Sequence, residues 1–108
     1  MRSRYAAYAL GDADYIIETT HPESSHTQEN LELWRADILD FSRSTHFRGL
    51  QIISSTEDEV HFDAILYQRV SGGEINCSFS ERSKFKIYEE RWRYCEGVPM
   101  PINALTHT

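Results

Sequence analysis

The sequence predicts an α+β domain with its helices in the first half and a meander of antiparallel strands in the second. Three observations carry this. Apolar residues recur every three or four positions up to about residue 41 and every second position after about residue 50. The triplet Ser71-Gly72-Gly73 is a strong hairpin signal. Two separate turns assign the same residues to the same face of the sheet.

The first helix is expected over Met1 to Leu10, where Tyr5 and Tyr8 are three apart with alanines between them. Gly11 is a natural stop. Asp12 then caps a second helix that runs to about Thr19, with Ala13, Ile16 and Ile17 on one stripe. Pro22 ends it. In the following polar loop Ser25 and Gln28 have capping-box spacing, with Thr27 as the other candidate cap. A third helix spans about Gln28 to Phe41, its stripe made by Leu31, Trp34, Ile38 and Phe41.

Strands are expected over 50–55, 60–70, 75–88 and 92–96. Gly97, Pro99 and Pro101 are expected to break the last one. Centring the first hairpin on Gly72-Gly73 places Leu66 opposite Phe79, Ala64 opposite Glu81 and Phe62 opposite Ser83. Centring the second on Glu89-Glu90 places Ile87 opposite Trp92 and Phe85 opposite Tyr94. One face then collects Val60, Phe62, Ala64, Leu66, Cys77, Phe79, Phe85, Ile87, Trp92 and Tyr94. The other carries His61, Asp63 and a row of polar and basic residues, and Asp63 is expected to be solvated there. Ile52 and Ile53 are adjacent, so either parity is open to the first strand. Residues 1–102 are expected to form one domain and 103–108 a flexible tail.

A chain of 108 residues fits one domain with a core of its own. Its formal net charge of -6 opposes nonspecific binding to nucleic acid or anionic lipid. No apolar run approaches the ~20 residues of a membrane span, and no signal peptide pattern is present. Cys77 and Cys95 lack CxxC spacing, so a reducing cytoplasm is the expected compartment. The five histidines show no HExxH pattern and no Cys-His cluster, so neither a metal nor another cofactor is expected. GxGxxG and GxxxxGK are absent as well. Nothing in the sequence brings a serine and a histidine together as a nucleophilic pair.

Glu81 is the residue out of place, because it falls on the covered face between Phe79 and Ser83. A carboxylate there is costly unless partnered. It is a structural acceptor for a tyrosine hydroxyl, a helix N-terminus or an arginine such as Arg4, or a pocket carboxylate that binds or exchanges protons, or a residue turned to solvent by local twist.

The words MRSRYAAY, GDADYIIETTHP, LELWRADI, ERSKF (Glu81 to Phe85) and WRYCEG (Trp92 to Gly97) together resemble the YchJ-like family, whose central domain is NTF2-like. Glu96 stands where relatives often carry Asp. The resemblance implies an NTF2-like cone, with three N-terminal helices packed on a curved antiparallel sheet around a cavity. By analogy it places Arg4, Tyr8, Tyr15, Trp34 and Glu81 as ligand-binding residues, with Glu81, Tyr15 and His21 as catalytic candidates. Family members usually flank this domain with zinc-binding SEC-C segments, and these 108 residues contain none. The chain is therefore expected to be a central domain cut from a longer protein or a shortened member, and zinc binding does not carry over. The function implied is a non-enzymatic binding or interaction module, with a small-molecule ligand in the cavity or a second copy docked on the sheet. The alternative is a small cavity enzyme of isomerase, dehydratase or hydrolase type with Glu81 as general acid or base. Fold analogy alone licenses no activity.

Overall fold

A computed structural model describes residues 1–101. The expected tail, 103–108, and the end of the expected domain lie outside the described residues. Helix α1 covers Arg2–Leu10, and Gly11 closes it in the left-handed conformation (φ 76°), its N–H turned back to the carbonyls of the last turn. Asp12 caps α2 (Ala13–Glu18) by accepting from the Tyr15 N–H, as its position predicts. The third helix, α3 (Leu31–Ser44), starts later than expected. Neither Ser25 nor Thr27 caps it; Asn30 does, accepting from the Leu33 N–H at 3.0 Å.

Strands β1 (Thr45–Ser55), β2 (Glu59–Val70), β3 (Gly73–Asn76), β4 (Phe79–Tyr88) and β5 (Arg91–Met100) form one antiparallel sheet in the order β1-β2-β4-β5, with β3 paired to the end of β2. The third expected strand is thus two, interrupted at Cys77-Ser78. There the Ser78 hydroxyl replaces a ladder bond by accepting from the Leu66 N–H.

The first hairpin turns at Ser71-Gly72, because Val70 pairs with Gly73. Its register is therefore two residues away from the expected one: Ala64 faces Phe79 and Phe62 faces Glu81. A slip of two preserves side-chain parity, so the face assignment survives. The second hairpin has the expected register, with Phe85 opposite Tyr94 and Ile87 opposite Trp92. Its turn holds Glu89 and Glu90 at φ 50° and 65°, both left-handed. Such a two-residue turn favours Asn-Gly. Replacing Glu89-Glu90 by Asn-Gly is expected to raise the unfolding free energy by about 0.5–1 kcal/mol. The sign would show as a higher urea midpoint at unchanged slope. The one ion pair lost, Arg93–Glu89, is at the surface and long at 3.9 Å.

Gly97 and Pro99 do not end β5. The strand lies at the sheet edge, where a missing N–H is tolerated. A bulge at Cys95 shifts the pairing from Phe85–Tyr94 to Lys84–Glu96 and Ser83–Gly97. Gly97 thereby joins the face that carries Tyr94. Bulges in β1 at Arg48 and Ile53 settle the open parity: Ile52 pairs with Phe62, and Ile53 is the extra residue.

The expected cone is not formed. The sheet is open and uncurled: β1 and β5 are separate edges that do not pair, and the molecule measures 43 × 33 × 19 Å. The helices pack on β1 and β2, and little of them reaches β4 and β5. Among the described residues no element closes the sheet on itself, and inward-facing Phe79, Ile87 and Trp92 stay substantially exposed. Two cores result. One is helical, built from Ala7, Ala13, Ile16, Trp34 and Ile38. The other lies on the sheet around Phe62, Ala64 and Leu66, with Tyr5, Phe47, Leu50 and Ile52 against it.

Candidate functional site

A cleft of about 480 Å³ separates the two cores. Ile16, Trp34 and Ile38 line it from the helices, and Phe62, Ala64 and Leu66 from β2. Four of its polar groups converge from three elements. Arg4 and Tyr8 are one turn apart on α1, Glu81 projects from β4, and Tyr94 from β5. A largely apolar cleft with a few convergent polar groups is the ordinary form of a small-molecule site.

Arg4 is buried, 7% exposed. Its Nη1 donates to the Ile16 carbonyl at 3.3 Å, to Thr19 Oγ1 at 2.6 Å and to Thr20 Oγ1 at 3.4 Å. The guanidinium thus satisfies oxygens at the C-terminal end of α2. It also lies over the Tyr94 ring, 4.7 Å from the centroid. Burial lowers its pKa, and Tyr8 and Tyr94 act against that shift. An arginine stays charged in such a setting. Burial likewise raises the Tyr8 hydroxyl pKa, with the nearby Arg4 charge opposing.

The Glu81 carboxylate accepts from Ser83 Oγ at 2.5 Å and from the Tyr94 hydroxyl at 3.3 Å. Burial, then the Glu81 charge, pushes the Tyr94 pKa far above the usual tyrosine value. The carboxylate rests directly over Gly97, where a Cβ would fall 2.1 Å from Cδ of Glu81. Glu81 is therefore an acceptor for a tyrosine hydroxyl and also part of the cleft wall.

Of the residues singled out in sequence, Arg4, Tyr8, Trp34 and Glu81 come together here, while Tyr15 and His21 lie outside the lining. Tyr15 packs against the helical core and hydrogen-bonds Ser3 Oγ at 2.7 Å. His21 is buried in the loop after α2. Its Nδ1 accepts from the Glu23 N–H, and its ring meets Tyr88 edge-on. Its own N–H bonds the Tyr94 carbonyl at 2.7 Å, which fastens this loop to β5. Tyr94 was the residue sequence reasoning passed over as a site group. Its signal was its place on the covered face, opposite Phe85 and near Glu81. His26, at the cleft rim beside Tyr94, had no signal in its polar loop.

On the opposite face Asp63 is fully buried, where it was expected to be solvated. It pairs across the ladder with Ser80. Ser80 Oγ lies 3.2 Å from His61 Nε2, yet it donates to the Phe62 carbonyl at 3.1 Å, so the hydroxyl proton is spent on the backbone. Among the described residues no three of His, Cys, Asp and Glu are grouped to hold a metal ion. No helix among them is long and apolar enough to cross a membrane.

The family described as YchJ, middle NTF2-like domain, matches residues 1–97. A UPF0225 protein of Pectobacterium carotovorum is 34% identical over 103 residues, which cover 91% of this chain and 63% of that protein. The chain thus spans somewhat less than two thirds of the curated relatives it matches. The solution structure of a SEC-C motif containing protein from Rhodopseudomonas palustris superposes with a TM-score of 0.64 at 35% identity, covering 94% of this chain and 76% of that one. A SEC-C motif containing protein from Psychrobacter arcticus gives 0.59 at 19% identity, over 95% and 60% of the two chains, and shares the fold.

Proposed function

The chain belongs to the family of YchJ middle NTF2-like domains, and we propose on that premise that it binds a small, largely apolar molecule in the cleft without transforming it. One observation carries this: about 480 Å³ lies open between two cores, walled by Trp34 and Phe62 and crossed by the polar groups of Arg4, Tyr8, Tyr94 and Glu81. The enzyme alternative needs a proton-exchanging partner beside Glu81. Tyr15 and His21 are elsewhere, and the raised pKa of Tyr94 makes its hydroxyl a poor acid at neutral pH. The free cysteines Cys77 and Cys95 support a cytoplasmic setting for this module. A second copy on the outer sheet face has less support, because charges there are partnered within the chain, as in Arg82–Glu59 and Arg48–Glu74.

The test uses a neutral aromatic probe, 2-acetylnaphthalene, titrated into the labelled protein by NMR. One saturable site is expected, with shifts at the Trp34 indole N–H, Ile16 and Phe62. Ala64→Leu, which fills part of the cleft, should weaken it at least tenfold. Shifts scattered over exposed Ile87 and Trp92, with none at Trp34, would remove the reading.

A further inference from the structure

We propose that the cleft selects ligands with a single negative charge, a carboxylate above all, seated on the Arg4 guanidinium while an apolar ring lies against Trp34 and Phe62. This rests on the cleft being a binding site and names the chemistry it takes.

The first reason is an incomplete ion pair. Arg4 is 7% exposed, yet no carboxylate stands within salt-bridge distance of it among the described residues. The ion pairs of the chain use Arg35, Arg43, Arg48, Arg82, Arg93 and Lys86 with surface acids, and His46 when protonated. Glu81 acts on this cation only from a distance, and a buried cation with no carboxylate in contact is costly, a cost an entering anion would recover. The second is geometry. The hydrogen bonds that tie Arg4 to the C-terminal end of α2 all leave from Nη1. Beyond the neighbouring Tyr8 hydroxyl, its other N–H groups have no acceptor among the described residues, and Arg4 lines the cleft. A guanidinium in that state offers a fork suited to a carboxylate. Tyr8 adds a hydroxyl that can donate to the same anion.

The third reason limits the charge. Glu81 is in the same lining, and Asp37, hydrogen-bonded to Gln28 at 3.4 Å, stands in it too. Among the described residues Arg4 is the one arginine or lysine facing them in the lining. A doubly charged phosphate would add two negative charges beside these two acids, whereas a carboxylate adds one and meets half the repulsion. Ser83 and Tyr94 hold Glu81 by its Oε2, which keeps that carboxylate off the guanidinium and leaves Arg4 to the ligand.

The experiment compares probes that share one ring system: 2-naphthoate, 2-acetylnaphthalene and 2-naphthyl phosphate, titrated at pH 7 by calorimetry with NMR mapping. Naphthoate is expected to bind at least tenfold more tightly than the ketone and to shift the Arg4 Nε–H. In Arg4→Met that advantage should vanish while the ketone still binds. Should Arg4→Met fail to fold, Glu81→Gln decides. It keeps Arg4 and removes one competing negative charge, so the ratio of naphthoate to ketone affinity should rise severalfold; an unchanged ratio would overturn the anion assignment. Equal binding of naphthoate and ketone to the wild type, both at the cleft, would overturn the anion assignment and leave the binding module standing. Tighter binding of the phosphate than of naphthoate would overturn the single-charge assignment. Failure of all three probes would remove the module reading itself.

Discussion

Arg4→Met is expected to lower the unfolding free energy by about 2–4 kcal/mol, although it keeps most of the buried stem. Three bonds to Ile16, Thr19 and Thr20 disappear, and with them the link between α1 and the C-terminal end of α2. Hydrogen bonds to a charged partner contribute about 1.5–3 kcal/mol each when one side is removed. The contact over Tyr94 adds up to ~2 kcal/mol where it is desolvated. Opposing these losses, the variant no longer confines a charge away from water, which recovers several kcal/mol. The net figure is therefore well below the sum. Urea unfolding at constant slope reads it. A change under about 0.5 kcal/mol would show that the guanidinium contributes nothing net to the fold. Arg4→Lys should recover less than half, because an ammonium cannot serve several oxygens and the Tyr94 face together.

Gly97→Ala is expected to cost about 1–3 kcal/mol, the range for forcing carbon into filled space. The Cβ would fall 2.1 Å from Cδ of Glu81, so the carboxylate must move. It is the end of a flexible side chain, but Ser83 and Tyr94 hold it, and moving it breaks both bonds. The cost therefore belongs to the pair. In a Glu81→Ala background, the added methyl should cost less than about 0.5 kcal/mol, a coupling of at least ~1 kcal/mol in the double-mutant cycle. Equal costs in the two backgrounds would mean that the methyl group meets something other than Glu81.

These two residues also show what the sequence could and could not reveal. Glu81 was legible because parity is robust: a two-residue error at the first hairpin moved every partner and left it on the covered face. The second hairpin was legible as far as Tyr94, because Glu89-Glu90 leaves a single choice of centre. Ser71-Gly72-Gly73 offers two overlapping ones. Gly97 was read as a breaker because nothing in strict alternation announces a bulge at Cys95. Arg48 and Ile53 were hidden in the same way, as was the extent of β1. The open sheet was illegible for another reason. Patterning tells which face of a strand seeks cover and leaves unsaid how far the helices reach, so Ile87 and Trp92 looked covered. Arg4 and Tyr8 were found through the family words rather than through spacing. The burial of Asp63 had no signal in its neighbours.

The divided core has a thermodynamic consequence. A molecule held between Trp34 and Phe62 would be interior material common to both halves, so occupancy and folding become one linked equilibrium. At a hundredfold excess over Kd, such a molecule adds about 2.7 kcal/mol to the folded state. Melting curves would then act as an assay, in which the native ligand declares itself as the missing portion of the interior.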